Sequence, residues 1–562
     1  MNLIHVYIEE HKAIRDLNVP LGGGATCHVQ NRKVTISKKS DTSGYYLGFH
    51  CSAIIGANGV GKSSVLDFIE AAYFPTDSRG ALIFYDPHSA LFHICLINLD
   101  VEDCNAQHEF HREFDLFSAV NSINLVKINN VSAAQNKLGY GKKYRHSLIH
   151  DRTLEEYTKS KIKRKRYFEN LLSYFRETRS SNNLIEDVGF EFKFQNSCSR
   201  VQGIFPDGIL NEEYATRLPE LKKNFISKNI EIGSFGASTE GIFKELVRLN
   251  AVSILAELSG VRKVSHRRHV LAFLLQRFME ISVNERSVDA TVGLRQTLEA
   301  LRYFENWKIF SESPHVVNLI QDSVDVDSML SRLEFVFELF EDAAQLLGRL
   351  QSPFEKTEQL SILIEEFYSV SELVALVSKL PRSILSNISW GWRGVSTGEM
   401  ARSHLFSETY NYLRNASRGA SNIIIIDEAD LYLHPEWQRS FLDSYLAHLT
   451  MLLRPGYESK PQILLSTHSP IIISDFLPQD ITSLSKDSNG NISLRESIGF
   501  GTNITSLFID GMHIESTFGE HSRKAINELL EKAKAGALND LDKVLIGKMG
   551  NKFIKDYLLA ND

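Results

Sequence analysis

The sequence has no long apolar run. None of its segments approaches the roughly 18 consecutive apolar residues that a membrane-spanning helix needs. The opening segment, MNLIHVYIEEHKAIRD, mixes acidic and basic side chains where a signal peptide carries an apolar block. We therefore expect no membrane partner and a cytoplasmic protein.

Cysteine and proline are also scarce. The 562 residues include five cysteines and no C-x-x-C pair, which argues against a zinc ribbon and a disulfide framework. We expect the five thiols to be reduced and structural. With 13 prolines, 43% hydrophobic residues and no low-complexity segment, the composition is that of a folded globular protein.

Positive charge is in deficit overall. The formal net charge is −7, which excludes a uniformly basic nucleic-acid-binding protein. One local exception runs from Lys137 to Phe168, where eleven lysines and arginines stand against three acids and tyrosines are interleaved. Within it, Lys159–Arg166 is a candidate nucleic-acid-binding segment. A solvated helix face is the alternative interpretation.

A glycine-rich loop stands between a β-like segment and a helical one. Residues Gly56–Ser63, GANGVGKS, fit the pattern G-x-x-x-x-G-K-[ST]. The glycines let backbone N–H groups turn onto phosphates, Lys62 reaches the β- and γ-phosphates, and the Ser63 hydroxyl is placed to bind Mg²⁺. The pattern predicts an ATP site. Its nucleotide-binding residues are Gly56, Ala57, Asn58, Gly59, Val60, Gly61, Lys62, Ser63 and Ser64.

A short apolar segment much later in the chain ends in two acids. Ile423–Glu428, IIIIDE, has the pattern of a strand buried on both faces of a parallel sheet. Ligands of α/β proteins bind at the carboxyl ends of such strands. We predict that Asp427 holds Mg²⁺ together with Ser63, and that Glu428 polarises the attacking water as general base.

Two further segments flank this acidic strand. WGWRGVSTGEMARSHLF contains Ser396, Thr397, Gly398 and Glu399 ahead of a helical pattern, and a helix N-terminus with hydroxyl and glycine N–H groups suits an anion. LLSTHSP places His468 just after another apolar strand, where a histidine suits a phosphate-contacting switch. Read alone, STGE is an ordinary helix cap, and a single histidine after a strand is usually structural.

Along the chain the four motifs follow one another as GANGVGKS, STGE, IIIIDE and LLSTHSP. These motifs and their order resemble those of the ABC-type ATPases of the RecF, SMC, RecN and OLD group. LYLHPEWQR, at 431–439, is similar to the segment that follows the acidic strand in that group. The resemblance implies that Lys62, Glu428 and His468 act on one nucleotide while Ser396–Glu399 reach the γ-phosphate held by a second protomer. AAA+ and RecA-like proteins place the acidic strand soon after the loop, unlike this chain.

The resemblance also implies a fold class, which is α/β: an ABC-ATPase head with a mixed and parallel sheet, split by a large compact helical insertion. The pattern from about 155 to 380 is predominantly helical and holds no heptad register, which argues against the long coiled coil of SMC and RecN proteins. We place the two halves of the head at 1–110 and 385–500, the insertion at 111–384, and a partner-docking tail at 501–562.

The segment after His468 bears on nuclease activity. OLD nucleases carry a Glu and an Asp-x-Asp pair that bind metal, and the one Asp-x-Asp after His468, Asp540–Asp542, has the pattern of a solvated helix terminus. We therefore expect no nuclease site here. Residues Gly499–Leu530 resemble the tail of the PtuA-like ATPases of the Septu and retron defence systems.

That last resemblance implies partners. PtuA-like ATPases act with a separate HNH endonuclease, PtuB, and in retrons also with a reverse transcriptase and its RNA-linked DNA. It implies a homodimer closed by ATP, or a higher oligomer, that regulates the nuclease in anti-phage defence. A RecF-like repair ATPase acting directly on DNA is the alternative function. A scaffold that binds ATP and hardly hydrolyses it is a third.

Overall fold

The structure, a computed structural model, describes most of the chain. The described residues are 1–130, 146–158, 161–178, 189–229, 238–260, 264–285, 288–311, 313–322, 324–350, 354–356, 359–364, 367–417, 419–453, 459–511, 516 and 518–560. Much of the predicted nucleic-acid-binding segment, including Lys159 and the side chains of Lys161, Arg164 and Lys165, lies outside them.

Strands and helices alternate along the described chain. The strands are β1 (Asn2–His11), β2 (Ile14–Pro20), β3 (Ala25–Gln30), β4 (Lys33–Lys38), β5 (Cys51–Gly56), β6 (Arg79–Asp86), β7 (Leu91–Ile97), β8 (Asp103–Cys104), β9 (His108–His111), β10 (Ile123–Ile128), β11 (Ile149–Asp151), β12 (Gly189–Gln195), β13 (Phe354–Lys356), β14 (Gln359–Ile364), β15 (Ile388–Arg393), β16 (Ser421–Ile426), β17 (Gln462–Ser466), β18 (Ile481–Lys486) and β19 (Ile492–Arg495).

The α-helices are α1 (Lys62–Ala71), α2 (Phe114–Val120), α3 (Leu154–Thr158), α4 (Lys161–Thr178), α5 (Val201–Ile204), α6 (Glu212–Asn229), α7 (Thr239–Leu258), α8 (Val264–Asn284), α9 (Ala290–Glu299), α10 (Pro314–Gln321), α11 (Val326–Leu350), α12 (Phe367–Val377), α13 (Arg382–Leu385), α14 (Thr397–Asn415), α15 (Pro435–Arg439), α16 (Phe441–Leu452), α17 (Pro470–Ile473), α18 (Ile504–Ser506), α19 (Glu520–Lys534), α20 (Asp540–Gly547) and α21 (Lys552–Ala560). Short 3₁₀ helices occupy Ser43–Tyr46, Ser197–Arg200, Ala300–Arg302, Phe304–Ile309 and Pro478–Asp480, and a π-helix occupies Leu507–Gly511.

A seven-stranded sheet joins the two distant motifs. Its strand order is β11-β10-β16-β17-β5-β18-β19, and every neighbouring pair except β18 and β19 is parallel. All residues of β5, β16 and β17 are buried, as expected for the central strands of a parallel sheet that is covered on both faces. The predicted apolar strands therefore lie side by side although 364 positions separate Ser63 from Asp427.

A five-stranded sheet of order β2-β1-β6-β7-β9 shares a hydrophobic core with the seven-stranded sheet. Its strands pair antiparallel except for β7 with β9. Leu3, Val6 and Leu82 of this sheet share one buried cluster with Phe68 of α1 and Leu464 of β17. The helix that follows the glycine-rich loop is thus held by apolar contacts from both sheets. A three-stranded sheet, β3-β4-β8, covers part of the opposite face.

The chain divides into two compact units. The first unit comprises Met1–Leu171 and Thr397–Asp562, and the second comprises Leu172–Ser396. The insertion was predicted to start at residue 111. In the structure β10 pairs with β16 and β11 pairs with β10, so this stretch belongs to the first unit. The mixed α/β architecture, with parallel and antiparallel sheets and many helices, confirms the predicted fold class.

The second unit is largely helical, and its helices include α7 and α11, both longer than the mean helix of globular proteins. It also contains a four-stranded antiparallel sheet of order β13-β14-β12-β15, which was not predicted from the sequence. The signal was present: Phe190, Phe192 and Phe194 alternate with polar residues along β12, and all three are buried. A period of two is the pattern of a strand with one buried face.

The last helices of the first unit form a small cluster of their own. Leu529, Ala533, Ile546 and Leu558 of α19, α20 and α21 are buried together. Asp542 accepts the backbone N–H of Asn539 in a capping box and pairs with Lys532 at 2.9 Å. The Asp540–Asp542 pair therefore starts a helix, as predicted, but Asp542 is buried and ion-paired instead of solvated.

The five cysteines lie in the interior of the protein. All five cysteines are buried and free, and burial raises the pKa of the Cys27 thiol to about 12. Within the described ranges, no helix combines the length and apolar character needed to cross a membrane.

Candidate nucleotide site

The glycine-rich loop connects β5 to α1. Gly56 has φ +142°, and a Cβ there would lie 2.4 Å from the carbonyl oxygen of Leu484 on β18, so only glycine lets the two backbones approach. Gly61 caps α1 in the left-handed region, with φ +99°. Val60 is buried in the core and anchors the loop, while Ala57 and Asn58 are exposed.

Lys62 is the first residue of α1, and it is buried. Its Nζ donates to the carbonyl oxygens of Gly56 at 3.0 Å and Ala57 at 3.2 Å. Burial lowers the pKa of Lys62, and the carboxylates of Asp427 and Glu428 oppose that shift. The ammonium group therefore lies inside the loop and near the acidic end of β16.

Asp427 and Glu428 follow β16 directly, as predicted. The Ser63 hydroxyl donates to Asp427 Oδ1 at 3.4 Å, and the Ser466 hydroxyl at the end of β17 donates to the same oxygen. The backbone N–H of Glu428 donates to Ser466 Oγ at 2.9 Å. Ser466, which is fully buried, thus fixes both acids relative to β17.

Glu428 itself adopts an unusual backbone conformation. Its φ is +53°, in the left-handed region that non-glycine residues rarely occupy. This turn brings the N–H of Ala429 to the carbonyl oxygen of Ser466 at 2.9 Å. Burial raises the pKa of the Glu428 carboxyl, Asp427 and Asp430 raise it further, and Lys62 opposes them. A raised pKa makes a carboxylate a stronger base.

His468 lies two residues beyond β17, at the same edge of the sheet. Its backbone N–H donates to Asp430 Oδ1 at 2.9 Å, and the Thr467 hydroxyl donates to the same oxygen at 2.5 Å. Burial lowers the pKa of His468, as does Lys62, while Asp430 and Asp427 raise it. The net shift favours the neutral imidazole, which can donate or accept a hydrogen bond.

Three residues that position the site were not predicted from the sequence. Asp430 holds the His468 loop, Ser466 holds the two acids, and Gln438 accepts from the Ser469 hydroxyl at 2.6 Å while donating to the Leu433 carbonyl at 2.8 Å. Two of these residues lie within motifs that the sequence had already singled out, since Asp430 is the last acid of IDEAD and Ser466 belongs to LLSTHSP. Each of the three has a partner at least 31 positions away in sequence, so its role follows only from the fold.

Residues Ser396–Glu399 lie at the start of α14, as predicted. Ser396 and Thr397 are exposed and Gly398 is buried. A Cβ on Gly398 would lie 2.6 Å from Trp437 Cζ3 and 2.8 Å from the carbonyl oxygen of Tyr432. The helix start therefore packs closely against the segment after the acidic strand, and two hydroxyl-bearing residues remain at the surface beside it.

The donor set at the sheet edge fits a magnesium ion. Mg²⁺ favours hard oxygen ligands and is usually bound by one or two protein oxygens plus water and phosphate oxygens. The Ser63 hydroxyl and the Asp427 carboxylate provide two such oxygens 3.4 Å apart. These are the residues that would hold the ion, and Lys62 and the loop N–H groups would hold phosphates.

Comparison with known proteins decides the family. The AAA ATPase domain family AAA_15 matches residues 27–473. The chain belongs to this ATPase family. The matched range contains the glycine-rich loop, Ser396–Glu399, the acidic strand and His468, so the wide spacing of the motifs lies within the family match.

Two curated relatives share local similarity. The Old nuclease of Escherichia phage P2 is 28% identical over 131 residues, which cover 23% of this chain and 21% of that protein. The Septu protein PtuA of Bacillus thuringiensis is 29% identical over 111 residues, which cover 19% of this chain and 26% of that protein. The chain thus matches only 21% and 26% of the two relatives' own lengths. They support the predicted resemblance to OLD-like and PtuA-like ATPases.

A buried polar network supports the helix that carries Gly398. Glu408, in the middle of α14, is fully buried. Its carboxylate accepts from the Tyr157 hydroxyl, from Asn170 Nδ2 at 3.0 Å and from Arg152 at 3.5 Å. Burial raises the pKa of Glu408, and these three donors oppose the shift. Arg152, one of the eleven basic residues between Lys137 and Phe168, therefore pairs with a buried carboxylate.

We predict that Glu408→Ala destabilises the first unit by on the order of 3 kcal/mol, because it removes the carboxylate partner of Arg152, whose side chain is only 17% exposed. Urea unfolding followed by circular dichroism measures the change. The control is Glu520→Ala, which breaks an exposed pair with Arg523 on α19 and is expected to leave the midpoint unchanged. Equal midpoints for Glu408→Ala and the wild type would contradict the assigned role of this network.

Proposed function

We propose that this ATPase binds and hydrolyses ATP at the edge of the seven-stranded sheet, dimerises on ATP, and regulates a separate HNH endonuclease in anti-phage defence. One observation carries the ATPase part: Lys62, Ser63, Asp427, Glu428 and His468 converge at the carboxyl ends of β5, β16 and β17. The similarity to PtuA carries the defence part.

The proposed chemistry assigns each side chain one task. Lys62 and the loop N–H groups bind the β- and γ-phosphates and offset their charge. A magnesium ion bound by Ser63 and Asp427 would supply further positive charge to the phosphates. Glu428 orients the attacking water and accepts its proton, and the raised pKa of its carboxyl suits that task. His468 hydrogen-bonds the γ-phosphate and, through Asp430, couples it to the segment after β16.

The dimer part of the proposal rests on Ser396–Glu399, which we call the signature. Ser396 and Thr397 are exposed at the start of α14, where backbone N–H groups and hydroxyls suit an anion. We propose that they bind the γ-phosphate held by the loop of a second copy. Each ATP would then lie between two chains, and the dimer would become more stable as the ATP concentration rises above its dissociation constant.

A mixing experiment tests this arrangement. Lys62→Ala and Ser396→Arg each disable both sites of a homodimer, one through the loop and the other through the signature. In a mixed dimer one site retains an intact loop from one chain and an intact signature from the other. An equal mixture should therefore recover roughly a quarter of the wild-type ATPase rate, because half of the dimers are mixed and each has one working site.

Phosphate release is the measurement, with each variant alone as the control. Sedimentation with ATP checks that the variants still associate. If the mixture stays as inactive as the separate variants although mixed dimers form, ATP is not shared between chains and the dimer proposal fails.

The nuclease part needs its own experiment. The chain is purified with a PtuB-like HNH endonuclease, and DNA cleavage is compared for the wild type and Glu428→Gln. Cleavage that changes with the nucleotide state supports the proposal, and an endonuclease indifferent to the ATPase contradicts it. Salt-dependent DNA binding by the isolated chain, lost in Lys163→Glu and Arg166→Glu, would favour the RecF-like alternative.

A further inference from the structure

Three side chains that can bind a metal ion lie together on one face of the five-stranded sheet. None of them belongs to the proposed nucleotide site. His93 lies on β7, and Glu109 and His111 lie on the edge strand β9. In the parallel pairing of these strands His93 is opposite Glu109, and His111 follows two residues later. Because side chains two residues apart in a strand point to the same face, all three side chains converge.

The three ligand atoms form a compact triangle. His93 Nδ1 lies 3.1 Å from His111 Nε2 and 3.5 Å from Glu109 Oε2, and His111 Nε2 lies 3.8 Å from the same carboxylate oxygen. In the plane of the three atoms, the point equidistant from them is about 2.0 Å from each. Zinc lies about 2.0–2.2 Å from imidazole nitrogen and carboxylate oxygen, so an ion would fit in or just above this plane. The side chains need little rearrangement to share one ion.

The surroundings also suit a metal site. The ring of Phe117, on α2, packs against both imidazoles, with centroid distances of 5.3 Å to His93 and 4.3 Å to His111. His93 is buried, and the side chain of Glu109 is 57% exposed, so solvent reaches one side of the triangle.

We propose that His93, Glu109 and His111 bind a zinc ion, with water in the fourth position. Two histidines and a carboxylate form a donor set that zinc accepts, and three protein ligands leave one tetrahedral position open. The ion would join β9, a four-residue edge strand, to β7 through side chains in addition to the short ladder. It would also fix the two rings against α2. The competing explanation is a direct hydrogen bond between the two imidazoles.

Zinc titration of the full chain separates these explanations. The chain is stripped of metal with a chelator and titrated with Zn²⁺, without nucleotide, against a chromophoric competitor. We expect one tightly bound ion per chain and a higher thermal midpoint with zinc. His93→Gln and His111→Gln should each weaken binding by more than about a hundredfold, because loss of an outer-sphere partner alone costs 10- to 100-fold.

The matched control is His108→Gln. His108 lies on the same strand but on the opposite face, where its Nδ1 lies 2.8 Å from the Ala106 carbonyl oxygen. This variant should bind zinc like the wild type. Thermal midpoints in metal-free buffer show whether each variant is folded.

Two results would overturn the proposal. One is a wild-type chain that binds no zinc in competition with the chromophore, a result that does not depend on any variant. The other is undiminished binding by a folded His93→Gln/His111→Gln double variant, which would place the ion elsewhere, for example at Asp427.

Discussion

Glu428→Gln is expected to lower the ATP turnover rate by about 100- to 10,000-fold while ATP affinity stays near that of the wild type. The amide keeps the size of the side chain and the backbone turn at Glu428, but it cannot accept a proton from water. Loss of one negative charge beside Lys62 also favours bound phosphates, so the ATP-bound state persists. Steady-state phosphate release and binding of a fluorescent ATP analogue measure the two quantities separately.

The control for this substitution is Glu436→Gln. Glu436 lies on α15 and pairs at the surface with Arg439, so the same chemical change there is expected to leave turnover unaffected. A Glu428→Gln variant that hydrolyses ATP at the wild-type rate would remove Glu428 as the general base. Asp430, which already binds Thr467 and the His468 N–H, would then be the next carboxylate to test.

The parts of the site that sequence could predict are those encoded in short contiguous segments. Gly56–Ser63 forms a strand-loop-helix connection because the glycines permit its positive φ angles and a helix-compatible segment follows. Ile423–Ile426 forms a central strand because four consecutive apolar residues need cover on both faces. Their adjacency in one sheet was expected from the family resemblance, and the parallel pairing through β17 bears it out.

The parts that sequence could not predict depend on contacts between distant segments. Nothing local to Ser466 indicates that its hydroxyl reaches Asp427, which is 39 positions away. Likewise, Arg152 belongs to a basic stretch, yet its partner is Glu408, and the ion pair follows only from the packing of α14. In the second unit, the alternating phenylalanines of β12 have the period of a strand. The strand was not predicted because the residues on both sides of it have a helical pattern.

Lys62→Ala is expected to weaken ATP binding by about 2–5 kcal/mol, the usual cost of removing one partner of a buried, hydrogen-bonded charge pair. Lys62 is buried and its Nζ rests on two loop carbonyls, where phosphate oxygens would replace the carbonyls as acceptors. Titration with a fluorescent ATP analogue measures the loss. Lys12→Ala is the control, since Lys12 pairs with Asp67 of α1 at the surface and lies outside the loop.

Lys62→Arg sharpens the same test because it retains the positive charge. The guanidinium is planar and larger than an ammonium, and it cannot contact the Gly56 and Ala57 carbonyls from the same position. If the compact geometry of the loop matters, the arginine variant should bind ATP only slightly better than the alanine variant. If the arginine variant binds ATP nearly as well as the wild type, the positive charge alone suffices. The proposal that Gly56–Ser63 positions the Lys62 ammonium closely against the phosphates would then be wrong.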